Sequence, residues 1–440
     1  MDAPSNPHHM PIKWHETVTS VDEPATHAPL SDKSALVCRV GLIALSGGTG
    51  SWRVREAMNR TARALGIGCS ADISLTSINC TCTEADSGFT QVVSLPTTGV
   101  NTERITLIDN FIEKVDDLVE THTVHEVHDL LDSIVQKPVN YSAVQSGLAS
   151  ALACAAFVFL LGGGLIEMGC AFIGAGVGQW LRRVMLGRHI NQLTSVGASV
   201  AAACLAYLCS LMALGLIVPD AMSHEAGYIG AMLFVIPGFP LITSGLDIAK
   251  LDMRSGLERL AYALVVILVA TLAGWLVASM TQLYPDDFAP LGLSVPVVLG
   301  LRLVASFFGV FGFSIMFNSP AKTAATAGCI GAVANTLRLE CVDLAGMPPE
   351  AAAFLGALVA GLLASAIGLR LRYPRITLTV PSIVIMVPGL YMYRAVYYMG
   401  IFETIDSMSW AMRAAMIVVF LPIGLALARV LTDKRWRYCS

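Results

Sequence analysis

Residues 235–241 read VIPGFPL and residues 386–392 read MVPGLYM, so the same Pro-Gly pair recurs 151 residues further along the chain. Each pair lies near the middle of an apolar stretch, at 225–247 and 376–399. Proline removes a backbone donor and glycine loosens a helix, so each pair predicts a break in a membrane-spanning helix. Backbone groups freed in hydrocarbon are costly, and such breaks persist where they line a cavity. The alternative is a packing kink in each helix.

The Pro-Gly pairs belong to a longer internal repeat. Ten apolar stretches of about 17–25 residues follow residue 143, which is the length needed to cross ~30 Å of hydrocarbon. The short glycine-rich stretches at 165–181 and 320–338 also correspond, with a displacement of 156 residues. Five spans per copy is an odd number, so the second copy enters from the opposite side. The predicted fold is an α-helical polytopic membrane protein with ten transmembrane helices in a 5+5 inverted repeat, preceded by a small α+β domain.

The chain divides into four predicted regions. Residues 1–30 are rich in proline and histidine without periodicity, which predicts a disordered tail. Residues 31–143 form the predicted cytosolic α+β domain. The first five-helix membrane repeat is expected at 144–285 and the second at 286–440.

Within residues 31–143, short local patterns indicate the individual elements. Helical patterns cover 34–46, 51–65, 105–120 and 124–136. Residues 72–82 and 89–95 are rich in strand-forming residues and predict a hairpin that turns at Asp86–Gly88.

Composition and charge support a membrane protein. Hydrophobic residues make up 55% of the 440 residues and charged residues only 14%, whereas soluble domains carry about 25%. Residues 1–143 have a net charge of −8 and residues 144–440 a net charge of +4. Basic residues concentrate in alternate loops between the spans, which predicts a multi-pass protein of the cell membrane with both termini in the cytoplasm. No basic block of the kind that binds nucleic acid is present.

Candidate substrate-binding residues lie at and after the two breaks. Thr243 and Ser244 could read a side-chain hydroxyl, and Arg394 could bind a carboxylate, unless its side chain snorkels outward. The backbone of each break could bind an ammonium or a carboxylate. The predicted set is Pro237, Gly238, Thr243, Ser244, Pro388, Gly389, Tyr391 and Arg394.

Two acidic residues in the apolar region are candidates for proton coupling. Ionisable residues inside a membrane usually have a function, and a desolvated carboxylate can titrate near neutral pH. Glu167 is one candidate, and its alternative is a position in an outer loop. Asp247 is the other, and its alternative is a position at the membrane interface.

No catalytic residue, metal site or cofactor is predicted. The segment Ser46–Ser51 (SGGTGS) resembles a phosphate-binding loop but has no following lysine, and a tight turn between two helices is favoured. His122, His125 and His128 recur every third residue without an HExxH pattern, which favours a solvated helix face. The eleven cysteines contain no CxxC pair, so neither a metal site nor a disulfide is expected.

These segments together resemble the bacterial threonine/serine exporter family in its fused, single-chain form. The resemblance rests on GGTGSWRVREAMNRTARALG (47–66), LGGG (161–164), VIPGFPLITSGLD (235–247) and VPGLYMYRA (387–395). It covers about residues 34–435. The resemblance implies efflux of small hydroxylated amino acids from the cytoplasm, driven by protons. It also likens the N-terminal domain to hydrolases, but the sequence contains no convincing Ser/His/Asp arrangement, so no enzymatic activity is expected.

The expected partners are therefore an amino-acid substrate, protons and the lipid bilayer, and a homo-oligomer is compatible with the sequence. Three alternatives stay open. One is export of a dicarboxylate such as succinate, which would need several cationic groups near mid-membrane. The second is a membrane-anchored hydrolase that uses Ser46 or Ser51 with a histidine of 122–128. The third, a channel, is disfavoured because no filter-like motif is present.

Overall fold

The computed structural model describes residues 12–20 and 22–437. The described chain forms two compact units. The first contains the residues up to Val139 together with the segment Asp247–Arg259, and the second contains Asn140–Leu246 and the chain from Leu260 onward. The first unit is therefore built from two separate stretches of sequence. The boundaries of the four predicted regions stay predictions.

The first unit is a small α+β domain, as the sequence predicts. Its strands are β1 (Gly68–Ile73), β2 (Ser77–Glu84) and β3 (Ser87–Ser94). Its helices are α1 (Leu30–Ser46), α2 (Ser51–Ala64), α3 (Thr102–Glu113), α4 (Val115–Thr121) and α5 (Val124–Gln136).

The helix boundaries follow local capping chemistry. Asn101 accepts a hydrogen bond from the backbone of Arg104 and so starts α3. Thr123 and Glu126 form a reciprocal capping box that starts α5. The single pattern predicted at 105–120 is two helices, because the backbone leaves the helical conformation at Lys114, with φ −107° and ψ 4°.

The three strands form one antiparallel sheet in the order β1-β2-β3. The predicted strand at 72–82 is interrupted at Ser74–Thr76, where the Ser74 side chain bonds to Ser77 and closes a turn. The second hairpin turns at Ala85–Asp86, and Ala85 has a positive φ of 50°. The sheet therefore has one strand more than the two predicted runs.

Helix α1 is the centre of the first unit. It is buried along nearly its whole length, including the charged residues Asp32, Lys33 and Arg39, so it is covered on all sides. It contacts α2, α3, α5 and the strands β2 and β3. The described residues before α1 also pack on this unit. The backbone of Ala25 bonds to His122, and Asp32 accepts backbone hydrogen bonds from Thr19 and Ser20. Residues 1–11 lie outside the described part of the chain.

The second unit is helical. Its first half contains α6 (Ala143–Leu160), α7 (Leu165–Gly187), α8 (Gln192–Gly215), a 3-10 helix (Ala221–Gly227), α9 (Tyr228–Met232), a 3-10 turn (Leu233–Val235) and α10 (Gly238–Ala249), followed by α11 (Met253–Thr281). Its second half contains α12 (Val295–Met316), α13 (Ala321–Asp343), α14 (Pro349–Leu371), α15 (Arg375–Val384), α16 (Gly389–Gly400), α17 (Thr404–Thr432) and α18 (Lys434–Arg437). The ends of α10 and α11 that flank residue 250 belong to the first unit.

Six described helices are long and apolar enough to cross a membrane, and two bent helix pairs bring the number to eight. The six are α6, α8, α11, α12, α14 and α17. The remaining two predicted spans correspond to α7 and α13, which are 23 residues each but are less apolar. The protein is therefore a multi-pass membrane protein, and the count of ten spans in a 5+5 inverted repeat stays a prediction.

The helix contacts of the two halves correspond. Helix α7 packs against α6, α8 and α9, and α13 packs against α12, α14 and α15. Helices α6 and α12 also contact each other. Small residues permit that close approach, since a Cβ atom added at Gly312 would lie 2.9 Å from the Cβ of Ala153.

Candidate functional site

The two Pro-Gly pairs interrupt their helices in the same way. The chain bends by 55° between residues 221–235 and α10, and by 47° between α15 and α16. At the first break, the backbone N–H of Gly238 donates to the carbonyl of Ile236 at 2.8 Å. At the second, the N–H of Gly389 donates to the carbonyl of Val387 at the same distance. Both breaks therefore close the same tight three-residue turn before a new helix begins.

The two breaks face each other in the interior of the second unit. A Cβ atom added at Gly238 would lie 3.3 Å from side-chain carbons of Val384 and Val387. A Cβ atom added at Gly389 would lie 2.7 Å from Leu233. A small cavity of about 10 Å³ touches both glycines and is otherwise lined by Phe157, Leu233, Ile236, Phe313, Val384 and Val387. Its volume is about that of one water molecule, so the arrangement is closed to an amino acid.

Two buried tyrosines connect the halves beside the breaks. The hydroxyl of Tyr228, on α9, donates to the hydroxyl of Tyr393, on α16, at 2.8 Å. Their rings meet edge to face, with centroids 5.6 Å apart. Tyr393 was recognisable as a polar residue after the second break, whereas no pattern in the sequence indicates Tyr228.

The predicted side chains of α10 bond to their own helix. The Thr243 hydroxyl donates to the carbonyl of Phe239 at 3.0 Å, and the Ser244 hydroxyl donates to that of Leu241 at 2.7 Å. Both side chains are buried. On α16, the ring of Tyr391 lies against Trp410 with the centroids 5.0 Å apart. None of these three side chains lines the small cavity.

The side chain of Arg394, on α16, contacts the loop that follows α11. Its guanidinium donates to the carbonyl of Pro285 at 2.9 Å and to a carboxylate oxygen of Asp287 at 2.7 Å. The same group lies 4.8 Å from the centre of the Trp410 ring. Arg394 is thus held by a chain segment and an aromatic face, its Nε is buried without a hydrogen-bond partner among the described residues, and it does not line the cavity between the breaks.

Glu167 lies in the first turn of α7 and is almost fully buried. One carboxylate oxygen accepts the backbone N–H of Gly164 at 3.0 Å, which caps the helix. The other bonds to Nδ1 of His224 at 2.7 Å. Glu167 is therefore a buried carboxylate in contact with a partly exposed imidazole, and the histidine was not predicted.

Asp247 lies within the first unit and holds the loop between α1 and α2. Its carboxylate accepts the backbone N–H of Ser51 at 3.0 Å, at the start of α2, and lies 3.2 Å from Nε of Arg259. Arg259 in turn donates to the carbonyl of Thr49 at 2.7 Å. The glycine-rich loop that resembles a phosphate-binding segment thus binds an internal carboxylate at a helix N-terminus.

A corresponding polar pair joins two helices in each half of the second unit. Gln179 on α7 donates to the Ser146 hydroxyl at 3.0 Å, and Asn335 on α13 donates to the Ser306 hydroxyl at 2.9 Å. Gln179 and Asn335 are related by the displacement of 156 residues that relates the two glycine-rich stretches. Each amide oxygen is buried without a hydrogen-bond partner among the described residues. Applying the displacement to the polar residues of α7 would have identified this pair from the sequence.

Two clusters of metal-ligating side chains occur in the first unit, where none is predicted. Cys69, Cys80 and Cys82 place their sulfur atoms within 4.8 Å of one another, and their side chains meet on the buried face of the sheet. His15 forms the second cluster with Asp129 and Asp132. The predicted solvated histidine face does not include His128, because the His128 side chain is buried and bonds to Arg39 at 2.9 Å.

Comparison with known proteins identifies the family. A family model described as "Putative threonine/serine exporter" matches residues 35–281, and one described as "Threonine/Serine exporter, ThrE" matches residues 302–431. The chain belongs to the threonine/serine exporter family. The matched ranges contain both Pro-Gly breaks, and the family membership confirms the resemblance seen in the sequence.

Two known proteins are similar to the chain over much of its length. A "Probable threonine/serine exporter" of Mycobacterium tuberculosis is 24% identical over 422 residues, which cover 90% of this chain and 76% of the relative. A "Probable succinate transporter subunit YjjP" of Escherichia coli is 25% identical over 250 residues, which cover 55% of this chain and 92% of the relative. No solved structure matches the chain significantly. The family is one of transporters, so this exporter homologue is a membrane exporter.

Proposed function

We propose that the protein exports small hydroxylated amino acids, threonine and serine, from the cytoplasm by alternating access. The observation that carries the proposal is the pair of matching breaks, which face each other inside the helical unit and share one turn geometry. Broken helices at a repeat interface are where many secondary transporters bind substrate. The descriptions of both family models and of the mycobacterial relative support the same substrates.

The substrate site lies between the two breaks in this proposal and forms when the halves separate there. The closed cavity is apolar and holds about one water, so an amino acid enters only after α10 and α16 move apart. Backbone groups at Pro237–Gly238 and Pro388–Gly389 then bind the ammonium and carboxylate groups. A hydroxyl that donates to its own helix keeps acceptor capacity, so Thr243 and Ser244 can still accept from a substrate hydroxyl.

The proposed topology has ten spans in two inverted repeats of five. Helices α7 and α13 complete the count, since 23 residues at 1.5 Å each reach about 35 Å. The corresponding contacts of α7 and α13 support the repeat. The basic loops orient both termini and the α+β domain toward the cytoplasm of a bacterial cell, with the spans in its cell membrane.

Proton antiport is the proposed energy source. The buried Glu167 carboxylate is in direct contact with the partly exposed His224 imidazole, and in this proposal the two groups take up and release the proton. Asp247 is the second proposed carrier, although its carboxylate is already bound by Arg259 and Ser51. The geometry thus supports Glu167 more strongly than Asp247.

The E. coli relative supports a second candidate, export of a dicarboxylate. The cavity between the breaks has no charged side chain, and Arg394 is occupied by Asp287, so the described site lacks the cations that two carboxylates require. Counterflow in proteoliposomes separates the candidates. Vesicles loaded with unlabelled threonine should take up labelled threonine, whereas vesicles loaded with succinate should not take up labelled succinate. The reverse result would overturn the amino-acid assignment.

The same vesicles test the energy source. In antiport, protons and threonine move in opposite directions, so a pH gradient should make threonine accumulate on the more acidic side of the vesicle membrane. A protonophore should abolish that accumulation, while counterflow continues. Accumulation that is unaffected by the protonophore would exclude proton antiport.

A further inference from the structure

A separate cavity of about 560 Å³ lies within the first unit. Its walls are α1, α5, the start of α3 and the segment that joins β3 to α3. Leu42 and Ile43 on α1, together with Val100, give it an apolar side. The cavity is large enough for a small metabolite and is independent of the site between the helix breaks.

Arg104 provides the cavity with a cation that is bound only by neutral groups. Its guanidinium donates to the Ser46 hydroxyl at 3.1 Å and to the carbonyl of Val135 at 3.4 Å, which is a long hydrogen bond. Its Nε is buried without a hydrogen-bond partner among the described residues. No described carboxylate lies within ion-pair distance of it. Burial lowers the pKa of Arg104, which reflects the cost of holding this charge away from water.

The second arginine in the cavity wall is compensated. Arg39 forms an ion pair with Asp132 and donates to Nδ1 of His128 at 2.9 Å. Asp132 also bonds to His15 at 2.8 Å. Arg39 is thus already paired with a carboxylate, whereas Arg104 is available to an incoming anion.

The backbone next to Arg104 adds to the positive field. Helix α3 is 12 residues long, begins at Thr102, and directs its N-terminus toward the cavity through the lining residues Val100 and Asn101. The positive end of a helix dipole favours an anion at this place. Planar guanidinium groups bind carboxylates through two parallel hydrogen bonds. Free phosphate would use the cation but would leave the apolar side of the cavity uncovered.

We propose that this cavity binds a small carboxylate with a short apolar body, with the carboxylate on Arg104 and the apolar body against Leu42 and Ile43. Amino acids and simple carboxylic acids share this chemistry. The ammonium group of an amino acid would face Asp132, which lies one helical turn before Val135 on α5. The proposal does not depend on what the membrane part transports.

Direct binding to the full chain in lipid nanodiscs tests the proposal by titration calorimetry. The probes are leucine, 4-methylpentanoate, which lacks the ammonium group, 3-methylbutylamine, which lacks the carboxylate, and inorganic phosphate. We expect saturable binding of at least one of the two acids and none of the amine. Tighter binding of leucine than of 4-methylpentanoate would identify an amino-acid site, and the opposite order a site for carboxylic acids. Binding of phosphate alone, or of no probe, would overturn the proposal.

Variants assign the binding to this cavity. Arg104→Gln should weaken binding at least tenfold, and Arg104→Lys should weaken it less, because the charge is kept. Arg63→Gln is the matched control, since Arg63 is exposed and bonds only to the backbone of its own helix. Gly99→Leu adds volume at a lining position where a Cβ atom meets nothing within 4 Å, so it should weaken binding without a steric clash at the backbone. Unchanged affinity in both Arg104→Gln and Gly99→Leu would place the ligand elsewhere and refute the proposal.

Discussion

The hydroxyl groups of Tyr228 and Tyr393 lie 2.8 Å apart, and their hydrogen bond joins the two halves of the helical unit beside the paired breaks. Both side chains are fully buried. In the proposed alternating-access cycle the two halves separate at the breaks, so we expect this bond to break in each cycle. It therefore stabilises the closed state relative to an open one.

Removal of one tyrosine hydroxyl should lower the stability of the folded protein more than removal of both. Tyr228→Phe leaves the Tyr393 hydroxyl buried without its partner, which typically costs about 1–3 kcal/mol, whereas the double variant with Tyr393→Phe replaces both groups by apolar ones. We expect the melting temperature of the full chain to fall in each single variant and to recover in part in the double variant. Tyr284→Phe, at an exposed position, is the control. Additive losses would show that the two hydroxyls are not coupled.

The two glycines of the breaks should differ in their tolerance of a methyl group. A Cβ atom at Gly389 would lie 2.7 Å from Leu233, so a neighbour has to move, whereas at Gly238 the nearest carbons lie at 3.3 Å. Gly389→Ala should therefore reduce threonine counterflow more strongly, about tenfold or more, and Gly238→Ala only a few-fold. Gly300→Ala, where a Cβ atom meets nothing within 4 Å, should leave counterflow unchanged. If Gly389→Ala and Gly300→Ala behave alike, the breaks are packing kinks and not the substrate site.

Much of the architecture could be predicted because its signals are local. Runs of apolar residues indicate spans, and proline followed by glycine indicates a break wherever the surrounding helix is apolar. Repetition of that signal after 151 residues also paired the two breaks, which the structure places face to face.

Long-range side-chain partners could not be predicted in this way. Arg394 was expected at the substrate site because it follows the second break, but its position depends on Asp287, which is distant in sequence. Asp247 was predicted as a proton-coupling residue, with a position at the membrane interface as the alternative, and no periodicity could show that it meets Ser51. The assignment of the substrate-binding and proton-coupling residues stays a prediction.

Neutralisation of Asp247 should destabilise the first unit strongly. Asp247 and Arg259 are both buried, and Asp247→Asn would leave Arg259 without its carboxylate. Breaking a buried pair from one side costs about 3–5 kcal/mol, while replacing both partners by apolar residues is often neutral. We expect a large fall in melting temperature for Asp247→Asn and partial recovery for Asp247→Leu combined with Arg259→Met.

Asp72→Asn is the control for Asp247, because Asp72 pairs with Arg254 where both side chains are about half exposed, and such pairs contribute about 0–1 kcal/mol. An Asp247→Asn protein that melts like the wild type but no longer couples threonine to protons would contradict the structural role and support a role in proton transfer.

Replacement of Glu167 should leave threonine exchange across the membrane intact and abolish its coupling to protons. Glu167→Gln keeps an oxygen that can cap Gly164, but it removes the carboxylate that we propose as the proton carrier beside His224. We expect threonine counterflow within about threefold of the wild type and loss of accumulation driven by a pH gradient. Glu403→Gln, at an exposed position before α17, should retain both activities. Retention of pH-driven accumulation in Glu167→Gln would remove Glu167 from the coupling mechanism.

Acid sensitivity of the first unit should depend on His128. Burial, and secondly the nearby Arg39 guanidinium, lowers the pKa of His128 from its ordinary value of 6.5 to about 3. The folded state therefore keeps this imidazole neutral while the unfolded chain takes up a proton below pH 6.5, so the stabilisation is complete above pH 6.5 and declines as the pH falls toward 3. The decline is about 1.4 kcal/mol for each pH unit in this window.

In chemical unfolding of the full chain, His128→Gln should flatten the dependence of stability on pH between 6.5 and 4, whereas His122→Gln, whose ring is more exposed, should not. Equal slopes for wild type and His128→Gln would show that another group controls acid unfolding.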